Sequence, residues 1–207
     1  MPDKSIRQGL GQTSSDDGVQ ESMPLDSGAV PQRTYITGMT VALGGVLMFF
    51  MALVSAYIVR KGFPNSDWRV LEVPRILWLD TLILAASSAT LTRSRSRLLA
   101  GDAGGFRHWW GVTTILGMFC LAGQVIAWRQ LADAGIYLST NPSSSFFYVF
   151  TAAHGVHLLG GIVGLLAVLF FPVHQLTRST ASDVVAIYWH FMDGLWMFLF
   201  LLLILGR

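Results

Sequence analysis

The sequence predicts an all-α protein: an integral membrane bundle of five transmembrane helices. Three observations predict it. Of 207 residues, 53% are hydrophobic and only 13% charged, against roughly 25% charged in soluble globular domains. The charge is also segregated, since only Asp80 and Asp193 fall within the long apolar stretches. Those stretches recur five times, and all fall near the roughly 20 residues, or tolerated range of about 17 to 25, that a spanning helix requires. A soluble domain, a disordered chain and a collagen-like repeat are excluded together.

Residues 1 to about 33 are rich in Ser, Asp, Gln, Gly and Pro and nearly free of aromatics. Such a segment cannot bury enough surface to fold alone, so a mobile soluble tail is expected. Lys4 and Arg7 are followed by no apolar run, so no cleaved secretory signal is expected and the first span itself directs insertion. That span runs from about Tyr35 to Val59. The second, Ile76 to Thr92, is the shortest and most polar, holding Asp80 and the pair Ser87-Ser88. The third, fourth and fifth run from Trp109 to Trp128, Phe146 to Phe171 and Val184 to Leu205.

The ends of the spans carry aromatic residues. Trp68, Trp78, Trp109, Trp110, Trp128 and Tyr137 lie at or near predicted boundaries, where amphipathic rings favour the headgroup layer. An odd number of spans places the two termini on opposite sides of the membrane. Basic residues accumulate on the cytoplasmic side of membrane proteins, and the cluster Arg93, Arg95, Arg97 favours a cytoplasmic N-terminus and a periplasmic C-terminus. The net charge of +2, thinly scattered, gives no reason to expect a nucleic-acid partner. The single cysteine, Cys120, cannot form an internal disulfide and reads as a small buried hydrophobe. There is no Gly-rich phosphate loop and no paired-histidine zinc motif.

An ionisable group at bilayer depth costs about 2.5 to 3.5 kcal/mol on insertion scales, so each faces protein or serves a function. In the fourth span His157, Gly160, Gly161 and Gly164 share one stripe, with His154 beside it, because residues three and four apart share a helix face. Gly160 and Gly164 have the small-residue spacing that lets another helix approach closely. In the fifth span Trp189, Asp193 and Trp196 follow helical spacing, and His190 stands three before Asp193. A carboxylate at mid-span is kept most cheaply by a hydrogen bond, which His190, His154, His157 or a residue of another subunit would supply. The histidines read either as ligands of haem or copper or as interhelical hydrogen-bond groups. His154 and His157 lie three apart on one helix, which suits the second reading better. Asp80 and Gln124 read as interhelical polar contacts or as members of a proton path.

The segments Ser143-Ser-Ser-Phe-Phe-Tyr-Val-Phe-Thr-Ala-Ala-His154-Gly-Val-His157-Leu-Leu-Gly-Gly161 and Tyr188-Trp-His190-Phe-Met-Asp193-Gly-Leu-Trp196-Met-Phe-Leu-Phe closely resemble the last two helices of subunit III of haem-copper respiratory oxidases, the cytochrome c oxidase subunit III family. Three further segments resemble it in the same order. They are Ser55-Ala-Tyr57-Ile-Val-Arg60, then Leu77-Trp78-Leu79-Asp80-Thr81 with Ser87-Ser88, then Gly123-Gln124 with Ala127-Trp128-Arg129-Gln130-Leu131. The resemblance covers about residues 35 to 206.

It implies an accessory subunit that performs no chemistry and binds no metal or cofactor itself. Haem and copper then belong to partner subunits: the catalytic subunit I, against which such chains pack, and subunit II. Family members support dioxygen reduction coupled to proton translocation in the bacterial inner membrane, and many hold phospholipid in a cleft beside their first two helices. With five spans this chain resembles the short form, which lacks those two helices. It also departs from the family at Val46, where a buried glutamate is common, and at Asp80, where asparagine is more familiar. On this reading His154, His157, His190 and Asp193 form a structural polar core, while Gly160, Gly161, Gly164, Trp189, Trp196, Asp80 and Gln124 serve helix packing or a subunit interface. The alternatives are an accessory subunit of a quinol oxidase or nitric oxide reductase and, from another class, a free-standing haem-b membrane cytochrome.

Overall fold

The computed structural model describes residues 32–63, 74–138, 141–170 and 175–205. All five predicted spans are helices: α1 (Gln32–Lys61), α2 (Ile76–Leu99), α3 (Ala103–Asp133), α4 (Pro142–Phe170) and α5 (Gln175–Leu205). The expected tail lies outside the described residues as far as residue 31, and residues 32 and 33 already belong to α1. Trp68 and Phe171 also fall outside them.

Four helices, α1, α3, α4 and α5, are long and apolar enough to cross a membrane. α2 has the length, at 24 residues, but falls short of their apolarity. Three of its polar side chains are turned inward: Asp80, Ser87 and Ser94 are all buried. Part of the polarity that weakens α2 as a span is therefore interior polarity, sheltered by its neighbours. Each helix also runs past its apolar stretch by several residues, because a helix needs hydrocarbon-compatible side chains only within the bilayer core.

The junction of α2 and α3 shows how local sequence sets a turn. Gly101 takes φ +77°, a left-handed conformation that glycine adopts without steric cost. Asp102 then caps α3 by accepting a hydrogen bond of 2.8 Å from the Gly105 amide, and pairs with Arg97 at 3.2 Å. The Gly105 amide, aided by the Arg97 charge, holds the Asp102 carboxyl below the usual carboxylate range.

Helices α2, α3, α4 and α5 close into a ring, each packed on the next and α5 packed back on α2. α1 lies outside the ring against α4 and α5. Water-driven burial offers little reason for helices to associate in lipid, so small residues and interhelical hydrogen bonds carry the specificity. Every seam of the ring has such contacts. Between α2 and α3, Ser94 donates to the Phe106 carbonyl at 2.9 Å, Thr90 and Thr113 share a hydrogen bond of 2.8 Å, and the Cys120 thiol points at the Asp80 carbonyl at 3.3 Å. Between α3 and α4, the Trp110 indole donates to the Leu165 carbonyl and the Trp128 indole to Thr151, both at 2.9 Å. Across α4 and α5, the Tyr188 hydroxyl donates to the His157 carbonyl at 2.7 Å.

Candidate functional site

The interior of the ring gathers most of the residues that the sequence singles out. Trp189 of α5 lies at its centre, fully buried. Its indole N–H donates to Ser87 of α2 at 3.0 Å, and its ring lies against glycines of both other ring helices. A Cβ on Gly117 of α3 would come within 2.6 Å of the indole, and one on Gly161 of α4 within 3.1 Å. One side chain thus ties α5 to α2, α3 and α4, and two positions without side chains make room for it.

Trp196, two turns further along α5, donates to Thr81 of α2 at 3.1 Å. Its other face meets the imidazole of His154, with ring centroids 4.8 Å apart. His154 is wholly buried, and neither of its ring nitrogens has a hydrogen-bond partner among the described residues. Gln124 of α3 points its Oε1 at Gly155, 3.1 Å from where a Cβ would stand. Asp80 lies on Gly123, whose missing side chain is replaced by the carboxyl itself: a Cβ there would fall 2.0 Å from Asp80 Oδ1. Asp80, Gln124, His154 and Asp193 therefore lie in the same interior, each with buried oxygen or nitrogen atoms left without a hydrogen bond. Cys120 of α3 joins Asp80 of α2 there, its thiol directed at the Asp80 backbone carbonyl.

Two of the histidines offered as partners of Asp193 take other partners. His190 does not bond Asp193; its Nδ1 shares a 2.6 Å hydrogen bond with Ser88 of α2. His157 does not join the polar interior. It is half-buried, donates through Nδ1 to the Ala153 carbonyl of its own helix at 2.8 Å, and turns its ring toward Phe50 and Phe49 of α1, with centroids at 5.6 and 6.3 Å. The reason is that α4 borders both α1 and α5, so a single stripe on it meets two neighbours. The glycine stripe divides likewise: Gly161 is buried under Trp189, Gly164 rests on Val185, and Gly160 remains exposed with only the Tyr188 hydroxyl near.

Sequence reasoning missed Gly117, Thr81 and the separate roles of Ser87 and Ser88. Gly117 has an apolar run around it and no partner glycine at helical spacing on its own helix that would mark it. Ser87 and Ser88 were visible as a polar pair, but only the ring geometry sends one to Trp189 and the other to His190.

The three histidines in the spans point in three directions: His154 to Trp196, His157 to α1, His190 to Ser88. A haem held between two histidines needs them facing each other across a gap, and these residues do not fit it. Among the described residues no three His, Cys, Asp or Glu side chains come together as a metal set.

Fold and interior together define a polytopic α-helical membrane protein whose polar residues knit helices to one another. The family follows from comparison with known proteins. Residues 33–205 match the model of the family described as Cytochrome c oxidase subunit III. The chain is 34% identical to the "Probable cytochrome c oxidase subunit 3" of Nocardia farcinica over 169 residues, which is 79% of this chain and 83% of that protein. It is 33% identical to the "Cytochrome c oxidase subunit 3" of Corynebacterium diphtheriae over 177 residues, 79% and 84% of the two chains. It is also 33% identical to that of Thermostichus vulcanus over 177 residues, 81% and 85%. The chain belongs to the cytochrome c oxidase subunit III family, and with it to the subunits of oxidase complexes.

Proposed function

We propose that this chain is the accessory, non-catalytic subunit III of a haem-copper terminal oxidase in a bacterial inner membrane. It packs against the catalytic subunit I, with subunit II in the same complex, and sustains dioxygen reduction to water coupled to proton translocation. The observation that carries the reading is the family match along nearly the whole helical part of the chain. The ring interior supports it: the buried polar groups of Asp80, Gln124, His154 and Asp193 and the indoles of Trp189 and Trp196 all lie at helix seams, as expected of groups that position helices. Haem and copper, on this reading, are held by the partner subunits. The N-terminus is cytoplasmic, because Arg93, Arg95 and Arg97 all lie at one end of α2.

The test is a His157→Leu substitution in the intact complex. His157 lies at the seam between α1 and α4, so its replacement loosens the hold of this subunit or its bound lipid while the haem absorbance of the complex stays unchanged. Loss of haem absorbance with subunit I otherwise intact would refute the accessory role. Co-purification in mild detergent identifies the partners, and a copper-binding subunit II among them distinguishes a cytochrome c oxidase from a quinol oxidase.

A further inference from the structure

At the basic end of α2 an open groove of about 700 Å³ runs along the seam with α3. Thr92, Arg93, Ser96, Arg97 and Trp109 line its polar part, and Ala89 begins its apolar part. Arg93 and Arg97 stand four residues apart, on one helix face. The Arg93 guanidinium lies 5.0 Å from the centroid of the Trp109 ring and makes no ion pair among the described residues. Arg97 has one carboxylate neighbour, Asp102, and both side chains remain close to half exposed. The hydroxyls of Thr92 and Ser96 donate to carbonyls of their own helix, so recognition of a ligand falls to the two guanidinium groups.

The surroundings of these charges specify the ligand. Going down α2 from Arg93 in helical steps, the exposed positions are Ala89, Ala86, Ala85 and Leu82. The charged end thus opens onto an apolar track with little side-chain bulk. The Trp109 indole at the third span's boundary marks the depth of the headgroup layer. We propose that this groove seats one anionic phospholipid, its phosphate between Arg93 and Arg97 and an acyl chain along Ala89, Ala85 and Leu82. Planar guanidinium groups match phosphate oxygens in paired hydrogen bonds. A zwitterionic headgroup would bring a second cation beside the arginines. An acidic protein segment would use the charges but leave the alanine track empty. The site rests on the chain being in a membrane and does not depend on the oxidase reading.

The full chain, purified in dodecyl maltoside and mixed with equal amounts of dioleoyl phosphatidylglycerol and dioleoyl phosphatidylcholine, tests it by native mass spectrometry. Retention of one phosphatidylglycerol is expected, favoured about tenfold over phosphatidylcholine. Arg93→Gln with Arg97→Gln lowers it to the phosphatidylcholine level, while the charge-matched pair Arg60→Gln with Arg129→Gln leaves it unchanged. Ala89→Trp, which blocks the acyl track and keeps both arginines, lowers retention as well. Equal retention of the two lipids, or no response to the arginine pair, would overturn the proposal. So would displacement of phosphatidylglycerol by millimolar inorganic phosphate, the mark of a simple anion site, or a cross-link from Arg93→Cys to another subunit of the purified complex.

Discussion

The ring of α2 to α5 and the outlying α1 are built by different means. Ring helices are joined by directed bonds: the indoles of Trp110, Trp128, Trp189 and Trp196 each donate across a seam, and Ser, Thr and Tyr hydroxyls reach to the next helix. α1 meets its neighbours through ring edges, Phe50 on His157 and Tyr57 on Phe146 and Phe150 at 5.6 and 5.9 Å. Its apolar stretch is 22% buried, against 44% for those of α3 and α5. Hydrogen bonds between specific groups fix register, while aromatic edges add buried area with a preferred geometry of their own. α1 therefore carries a large surface available to lipid or another subunit.

Cys120, the single thiol, lies inside the ring and reports on its integrity. Trp189→Ala is expected to have the largest effect. Truncating a buried tryptophan costs on the order of 3 to 5 kcal/mol, and this one touches three helices, so labelling of Cys120 by a membrane-permeant maleimide should accelerate sharply. Labelling at the wild-type rate would mean that the ring does not depend on its centre. Gly161→Ala comes next, since a methyl group there presses on the Trp189 and Tyr188 rings at 3.1 Å. Overpacking of this kind costs about 1 to 3 kcal/mol, read as a lower thermal midpoint in detergent, and an unchanged midpoint would place the close approach elsewhere. Trp196→Phe keeps the stack on His154 and removes only the hydrogen bond to Thr81, worth about 0.6 to 2 kcal/mol in a membrane. A drop as large as that of Trp189→Ala would show that the two indoles are not distinct in role. Phe50→Ala should have the least effect on the ring: it frees α1, made visible by proteolysis between α1 and α2, while Cys120 stays as protected as before. Exposure of Cys120 in that variant would abolish the distinction between the two regions.

The helices themselves were legible because a span advertises itself by length and apolarity. α2 was the hardest to read, and its inward-facing Asp80, Ser87 and Ser94 explain why. Average apolarity cannot tell a polar group facing a neighbour from one facing lipid. Burial was legible too, since Trp189, Asp193, Gln124 and His154 all lie inside the ring. Their partners were not. Helical spacing gives an angle on one helix, and a partner depends on which helix lies in that direction. His157 shows the limit: it shares a stripe with Gly161, yet one faces α1 and the other α5. His190 was one of several partners open to Asp193, and the structure gives it a hydroxyl 102 residues away.

The position of Trp189 on the last of the five helices has a consequence for biogenesis. During synthesis α2, α3 and α4 enter the membrane before the side chain that ties them together exists. Until α5 arrives, Gly117 and Gly161 line an empty socket, and the hydroxyl of Ser87 has lost its outside partner. The bundle is thus locked from its C-terminal end. A translation stall or a nonsense mutation ahead of Trp189 leaves α2, α3 and α4 joined to one another by their own hydrogen bonds but without the side chain that closes the ring.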